Sequence, residues 1–395
     1  MDHVKRIAVL NPYLPLLGGG EKYMGHMCQF LEGHYPDARI DILIDDHDHT
    51  RVGDDGIDDL NKRFGLDLKR TTTRRIKLEE ELSEREWLKN QCVVARVTGE
   101  YDIFINNMFL SRHAGKAKKN VYICMFPPKP LAREIHDETA IAKTTSHIID
   151  RIFVRCYDKV VTISNFADRW TKEYLKGIRD SVVVYPPGLS ERGMQDNYEE
   201  NRKENRILGV GRFFVGAHNK KQLEMVRLYL SSRGKLKEYE LHLVGALAGN
   251  KRDIAYVDKI KAMVKDEKVF LHVNAPFGLL TDMYRKAKIL WHATGFNEDA
   301  NRTPEKMEHF GIATVEAMGY GAVPVVIDGG AQPEIVQDGE SGFLWGSESD
   351  WIGQTKRLIQ DQALRVRLAK AASSRSRAFS VERFYESLRG VFDTM

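Results

Sequence analysis

Short runs of β-branched and aliphatic residues, separated by longer stretches with apolar positions at helical spacing, set the pattern of this chain. In the first half the runs are 7–10, RIDILID at 39–45, YDIFINN, NVYICMF, KVVTIS and SVVVYPPGL. In the second half they are RILGVG, YELHLVGA, KVFLHVNA, KILWHATG and AVPVVID. Such near-continuous apolar runs predict strands covered on both faces, as in parallel sheets. Tyr23, Met27, Phe30 and Leu31 share one face of a helix predicted after the first run. An amphipathic helix is predicted over most of 127–158, after Pro127, Pro128 and Pro130, and WIGQTKRLIQ, QALRVRLAKAASSR and VERFYESLRGVF close the chain as helices. This alternation predicts an α/β protein. Residues 189–205, LSERGMQDNYEENRKEN, are polar and charge-rich and read as a linker. They divide an N-terminal domain, 1–188, from a second, 206–375, and a last helical segment follows at 376–395.

The stretch 305–344 concentrates the chemistry. A polar loop leads into a helix predicted from about Gly311, followed by a β-branched run at 323–327, Gly329-Gly330 and a second short helix near Pro333 and Glu334. Free amides in a helix's first turn form an anion site, here around Phe310, Gly311 and Ile312. Glu308 lies in the loop at that mouth and Glu316 on the second turn. Carboxylates beside an anion site suit a ligand that also carries hydroxyls, because they accept hydrogen bonds from sugars. A phosphate joined to sugars on both sides is a nucleotide sugar. Two such glutamates on an ordinary amphipathic helix would only be solvated, and it is the ordered string around them that argues otherwise.

Composition narrows the class further. A chain of 395 residues, 42% hydrophobic and 29% charged, predicts a globular protein of about two domains. A net charge of +4 does not imply nucleic acid. Cys28, Cys92, Cys124 and Cys156 lack metal-like spacing and read as thiols in a reducing compartment. No apolar run is long enough to cross a membrane, and the start of the chain reads as a strand rather than a signal peptide. Two stretches are basic: 62–77, with seven cations and one acid, and RHAGKAKK at 112–119. They read either as a solvated face or as contact with an anionic membrane. RNA fits worse, because no aromatics interleave the charges. Asp45, Asp46, His47, Asp48 and His49 form an acidic cluster after the second strand. Its Asp46-x-Asp48 spacing would suit a metal on a diphosphate, or else a solvated loop.

EHFGIATVEAMGYGAVPVV, followed by GGAQPEIV and GFLW, resembles the signature of the family 4 retaining glycosyltransferases, among the glycosyl transferases group 1. The resemblance implies the GT-B fold, with two facing Rossmann-like domains and a last helix that crosses back to the first. It implies retaining transfer of a hexose from a UDP- or GDP-sugar to a hydroxyl of a saccharide, lipid-linked or small-molecule acceptor, in glycan biosynthesis. Retention in the family is ascribed to same-face attack assisted by the leaving phosphate, with no metal and no cofactor beyond the donor. By the same resemblance Arg212 and a lysine of HNKKQ clamp the diphosphate; Lys220 matches the family's KNQ or KGQ forms better than Lys221. The amides at 310–312 extend that clamp, Glu308 orients the transferred sugar and Glu316 holds the ribose. The turn at Asn274 meets the base through backbone, and Gly19 and Gly20 of the GGGE turn border the cleft, with Glu21 beside them.

Met125 or Cys124 stands where many relatives carry a histidine, so no catalytic histidine is assigned. Ser164 reads as a helix cap and His292 as a satisfied core histidine. The implied place is the cytoplasm, with peripheral contact at the cytoplasmic membrane face and no nucleic-acid partner. The alternatives are a nucleotide-sugar epimerase or hydrolase of the same fold, a catalytically silent binding module, and a metal-dependent transferase using Asp46 and Asp48.

Overall fold

Each of the six early apolar runs becomes a strand of one parallel sheet, and β3 joins them from outside those runs: β1 (Arg6–Leu10), β2 (Arg39–Asp45), β3 (Thr71–Ile76), β4 (Ile103–Asn106), β5 (Lys119–Cys124), β6 (Lys159–Thr162) and β7 (Ser181–Val183). The order is β3-β2-β1-β4-β5-β6-β7. Among the described residues, five helices connect them: α1 (Gly19–His34), α2 (Gly56–Phe64), α3 (Glu84–Thr98), α4 (Ala140–Arg155) and α5 (Asn165–Tyr174). This sheet belongs to the first of two units in the computed structural model, Met1–Pro186 with Phe384–Met395; the second is Pro187–Arg383. The structure describes all residues except 1–3, 13, 15–17, 47–55, 81–83, 130–139, 179, 190–198, 237 and 265–267, and gives backbone alone at 84, 140–147 and 277.

β3 was hidden in the sequence inside a basic stretch. Its threonines are β-branched and suit an edge strand, and its arginines are absorbed locally. Arg74 donates to Glu100 and to the Tyr101 hydroxyl, both at 2.9 Å, while Arg75 lies 3.9 Å from Asp46. Just before the strand, Arg70 donates to the backbone carbonyl of Glu32. The other basic stretch is answered likewise: Arg112 by Asp150, Lys118 by Asp102 and Lys119 by Asp158. Ser164 does cap α5, its hydroxyl accepting from the Ala167 amide at 3.0 Å.

The second unit repeats the plan with β8 (Glu204–Val210), β9 (Glu240–Gly245), β10 (Val269–Val273), β11 (Ala287–His292), β12 (Val323–Ile327) and β13 (Phe343–Trp345), in the order β10-β9-β8-β11-β12-β13. Its helices are α6 (Gln222–Leu236), α7 (Lys251–Met263), α8 (Phe277–Lys286), α9 (Ile312–Gly319), α10 (Gln332–Ile335), α11 (Glu348–Gln360) and α12 (Gln362–Ser376). β8 opens at Glu204, so the end of the stretch read as linker already belongs to the sheet. Lys203 just before it is buried, and its ammonium donates to the carbonyls of Ala287 and Tyr320 at 2.8 and 2.7 Å. It thereby caps the ends of α8 and α9, where helix dipoles favour a cation. Burial nevertheless pulls its pKa down to about 7.

Trp345 stacks on Trp351 at 4.2 Å, and Trp291 meets Trp351 edge-on at 5.0 Å, locking β11, β13 and α11 into one core. The last helix, α13 (Val381–Phe392), lies against α1 in the first unit: Phe384 packs edge-on to Tyr23 at 4.9 Å, and Gln29 donates to the Tyr385 hydroxyl at 3.0 Å.

In both sheets the chain leaves the first strand toward one side and returns to build the other. That makes a topological switch point between β1 and β4, and again between β8 and β11. Ligands of open α/β sheets bind outside the strand ends at such points.

Candidate functional site

The loops leaving β8 and β11 converge at the second switch point. Gly211 follows β8 with φ +156°, and the backbone runs so near β9 that a Cβ on Gly245 would stand 1.9 Å from the Gly211 oxygen. Gln222, buried at the start of α6, donates to the carbonyls of Gly211 and Arg212, both at 3.0 Å, and fixes the loop's return. A Cβ on Gly211 would also meet the Lys220 stem at 2.5 Å, so glycine here lets Lys220 lie flat across the strand end. Arg212 sits over the Phe214 ring at 5.7 Å and forms no ion pair among the described residues.

The mouth of α9 is held from behind. Gly311 caps the helix at φ +116°, where a Cβ would meet Gln332 at 2.2 Å. The fully buried Gln332 donates to the Phe310 carbonyl at 3.1 Å and accepts from the Thr314 hydroxyl at 3.0 Å. Phe310 itself packs edge-on to Phe379 at 5.6 Å. Behind the loop, the Ala331 amide donates to the Glu308 carbonyl at 2.9 Å, and a Cβ on Gly330 would strike that carbonyl at 2.3 Å. The first-turn amides next to Ile312 are thus presented on a rigid frame.

Glu308 is the centre of charge. Its Oε2 accepts from Lys220 Nζ at 2.5 Å and from His292 Nε2 at 2.7 Å. Burial alone would raise this carboxyl, but Lys220 and the hydrogen bond from His292 hold it well below the usual carboxylate range. His218 and His309 meet edge to face at 4.1 Å. Burial and the nearby Lys220 lower His218 to about 4, and burial beside His218 holds His309 well below the ordinary imidazole value. Both imidazoles are neutral near pH 7.

The two adjacent lysines part company. Lys221, at φ +57°, donates instead to Glu298 at 2.9 Å, which Lys306 also reaches at 3.0 Å. Glu316 lies on the second turn of α9 and accepts from the buried Tyr284 hydroxyl at 3.0 Å. Asn274, at φ +53°, uses its side chain to accept from the Leu247 amide at 2.8 Å and so shapes the turn after β10.

The second unit therefore brings Lys220 and Glu308 into contact, with the mouth of α9 directly following Glu308 in the chain. Gly19 and Gly20 belong to the first unit, at the start of α1, where a Cβ on Gly20 would touch the Met125 side chain at 3.3 Å. Cys124 is buried, and burial pushes its thiol up to about 12. Asp46 pairs with Arg75, whereas His47, Asp48 and His49 lie outside the described residues. Among those described, no cluster of three or more His, Cys, Asp or Glu side chains is arranged to hold a metal. His218, His309 and Gln332 escaped the sequence reading. For the two histidines, a position within two residues of Lys220 or Glu308 was the available signal, whereas Gln332 carried none. His292 is buried as anticipated but not fully satisfied: its Nε2 donates to Glu308, and its Nδ1 has no hydrogen-bond partner among the described residues.

Residues 192–375 match the glycosyl transferases group 1. A GDP-Man:Man(3)GlcNAc(2)-PP-Dol alpha-1,2-mannosyltransferase of Dictyostelium discoideum is 22% identical, over 96% of this chain and 82% of its own length. Its namesake in Caenorhabditis elegans is 22% identical, over 90% and 84%. The crystal structure of Anabaena Alr3699/HepE in complex with UDP and glucose superposes with a TM-score of 0.69 across 99% of this chain and all of its own, at 14% identity. That likeness shows the fold, two parallel-sheet Rossmann-like domains of the GT-B type. No described helix is long and apolar enough to cross a membrane. With mannosyltransferases aligned along most of its length, the chain is a glycosyltransferase, and its residues 192–375 carry the match to the glycosyl transferases group 1.

Proposed function

We propose that this glycosyltransferase moves a hexose, with retention, from a nucleotide diphosphate sugar to a hydroxyl of a lipid-linked saccharide presented at an anionic membrane. GDP-mannose is the donor favoured by the relatives' names, and the acceptor class follows from the same names. The observation that carries the reading is Glu308, held on one oxygen by Lys220 and His292 immediately before the helix amides at 310–312. One carboxylate oxygen is thereby fixed, and the other is left to accept from sugar hydroxyls.

In the reaction the anomeric C–O bond breaks and its electron pair goes to the diphosphate. The acceptor oxygen forms the new bond on the same face, and its proton passes to the departing phosphate. Arg212, Lys220 and the amides of α9 supply preorganised positive charge where that negative charge grows. Glu316, oriented by Tyr284, accepts from the ribose hydroxyls. Gly19 and Gly20, in the first unit, leave the backbone at the start of α1 open to close approach by a ligand. This scheme needs no metal and no cofactor besides the donor.

The test is to incubate the protein with GDP-mannose and a soluble mannoside, with and without EDTA, and to read the anomeric configuration of the product by NMR. An α-linked product formed equally with and without chelator is expected. Inverted product, or activity lost in EDTA and restored by Mn²⁺, would overturn the scheme; the latter would return Asp46 and Asp48 to attention. Free mannose without a transfer product would indicate a hydrolase.

A further inference from the structure

Four of the seven large apolar side chains exposed among the described residues gather on one layer of the first unit. Leu88 on α3, Leu110 in the loop after β4, and Ile148 and Ile152 on α4 are 42% to 57% exposed. α3 and α4 share one core through Val94, Val97, Phe153 and Val154. The loop after β4 is tied to both: Gln91 donates to the Ala114 carbonyl at 2.8 Å, and Arg112 reaches Asp150 at 3.4 Å.

A single exposed isoleucine needs no explanation. Two at i and i+4 do, because 148, 151, 152 and 155 form one stripe along a helix. Arg151 and Arg155 fill the other places of that stripe, exposed and without an ion pair among the described residues. Arg85 on α3 is likewise exposed and unpaired among them. In the basic stretches at 62–77 and 112–119, Arg74, Arg75, Arg112, Lys118 and Lys119 are answered by carboxylates, and the cations left unpaired among the described residues, Lys62, Arg63, Lys77 and Lys116, share their stretch with no exposed large apolar side chain. Free positive charge and exposed apolar surface coincide on α4. A cavity of about 790 Å³ opens beside Arg151 and Arg155, but Asp158 and Asp180 also line it, so the exposed stripe rather than this cavity carries the free positive charge.

We propose that this layer, centred on the stripe 148–155, docks the enzyme on an anionic lipid bilayer. Ile148 and Ile152 enter the interface, and Arg151 and Arg155 meet lipid phosphates. The inference rests on the lipid-linked acceptor of the proposed function and names the face that reaches it. An acidic protein would use the arginines but would not require the isoleucines to be bare.

The test sediments the full chain with vesicles of phosphatidylcholine, with and without phosphatidylglycerol, at low and high salt. Wild type should bind only the anionic vesicles, and less so in salt. The pair Ile148→Ser and Ile152→Ser should lower partitioning at least about ten-fold. Arg151→Gln and Arg155→Gln should each lower it about five-fold and flatten the salt dependence. Lys62→Gln with Lys77→Gln should leave it unchanged. Wild type that binds neither vesicle overturns the proposal. So does an isoleucine variant that partitions like wild type while soluble polyglutamate competes, which would assign the face to an acidic protein. Transfer to a soluble mannoside is measured on the same preparations. Failure of the transfer reading leaves vesicle binding intact, and failure of docking leaves transfer intact.

Discussion

The two sheets share one plan and differ in what they place at the switch point. In the second unit, the loops after β8 and β11 bring Lys220 and His292 onto the Glu308 carboxylate, with His218 packed on His309 beside them. In the first unit, the loop after β1 ends in Gly18, Gly19 and Gly20 beside Met125, with the inert Cys124 thiol adjacent. One end is a fixed arrangement of charge, and the other is backbone against soft apolar side chains. Stabilising a leaving diphosphate demands charges that do not have to reorganise, which is why the proposed scheme seats the diphosphate at the charged end.

The largest predicted effects break the charged end. Glu308→Gln keeps shape but removes the charge between Lys220 and His292, so turnover should fall on the order of a thousand-fold while free nucleotide diphosphate still binds. Arg212→Ala should cost a hundred- to a thousand-fold in turnover, about 3–4 kcal/mol, with a smaller change in donor affinity. Steady-state kinetics beside calorimetry with free nucleotide diphosphate reads both. Near wild-type turnover in Glu308→Gln would remove that residue from the site.

A smaller effect separates binding from chemistry. The ribose does not change during reaction, so Glu316→Ala should raise KM about ten- to a hundred-fold, the loss of a charge-assisted hydrogen bond, and weaken free nucleotide alike. Unaltered nucleotide affinity would sink its placement at the ribose. The paired lysines sharpen the contrast within one loop. Lys220→Ala should slow turnover about a hundred-fold. Lys221→Ala, whose ammonium faces Glu298, should change turnover only a few-fold. Equal losses would mean that the sequence resemblance had singled out the wrong neighbour.

What the sequence made legible follows the same division. Strand-to-helix alternation was readable because parallel strands are apolar throughout, as in 39–45 and 323–327, which became β2 and β12. The string at 308–316 was readable because a helix mouth, a left-handed glycine and two carboxylates must fall in fixed order. β3 was not, since TTTRRI owes its place to pairing with β2 and to Glu100 and Tyr101, which are remote in sequence. The histidines were not, because only the fold shows that His218 and His309 meet across some ninety positions. Lys203, which looked like a linker cation, became a buried cap once two helices ended above it.

The smallest expected effect concerns acid stability, and it locates the charged end within the unfolding transition. His218 has a folded value of about 4, lowered first by burial and then by Lys220, against 6.5 for the free group. Between those values the unfolded chain binds the extra proton and the folded chain does not, so stability is complete above pH 6.5 and is lost as pH falls toward 4. At pH 5 one such group costs about 2 kcal/mol relative to neutral pH. Glu308 acts in the same direction lower down, because its depressed carboxyl loses its contribution only as pH drops through the folded value. In the first unit His26 is likewise buried and lowered to about 3, so acid acts on both units. His218→Gln removes the titrating group from the second unit alone. Thermal melts at pH 7 and pH 5 should show a drop in Tm for wild type that is smaller in His218→Gln by roughly 5 °C, while His26→Gln should spare the first unit's transition instead. An undiminished drop in His218→Gln would mean that this imidazole is not held neutral beside Lys220, and the fixed charge pattern assigned to the donor end would lose one of its supports.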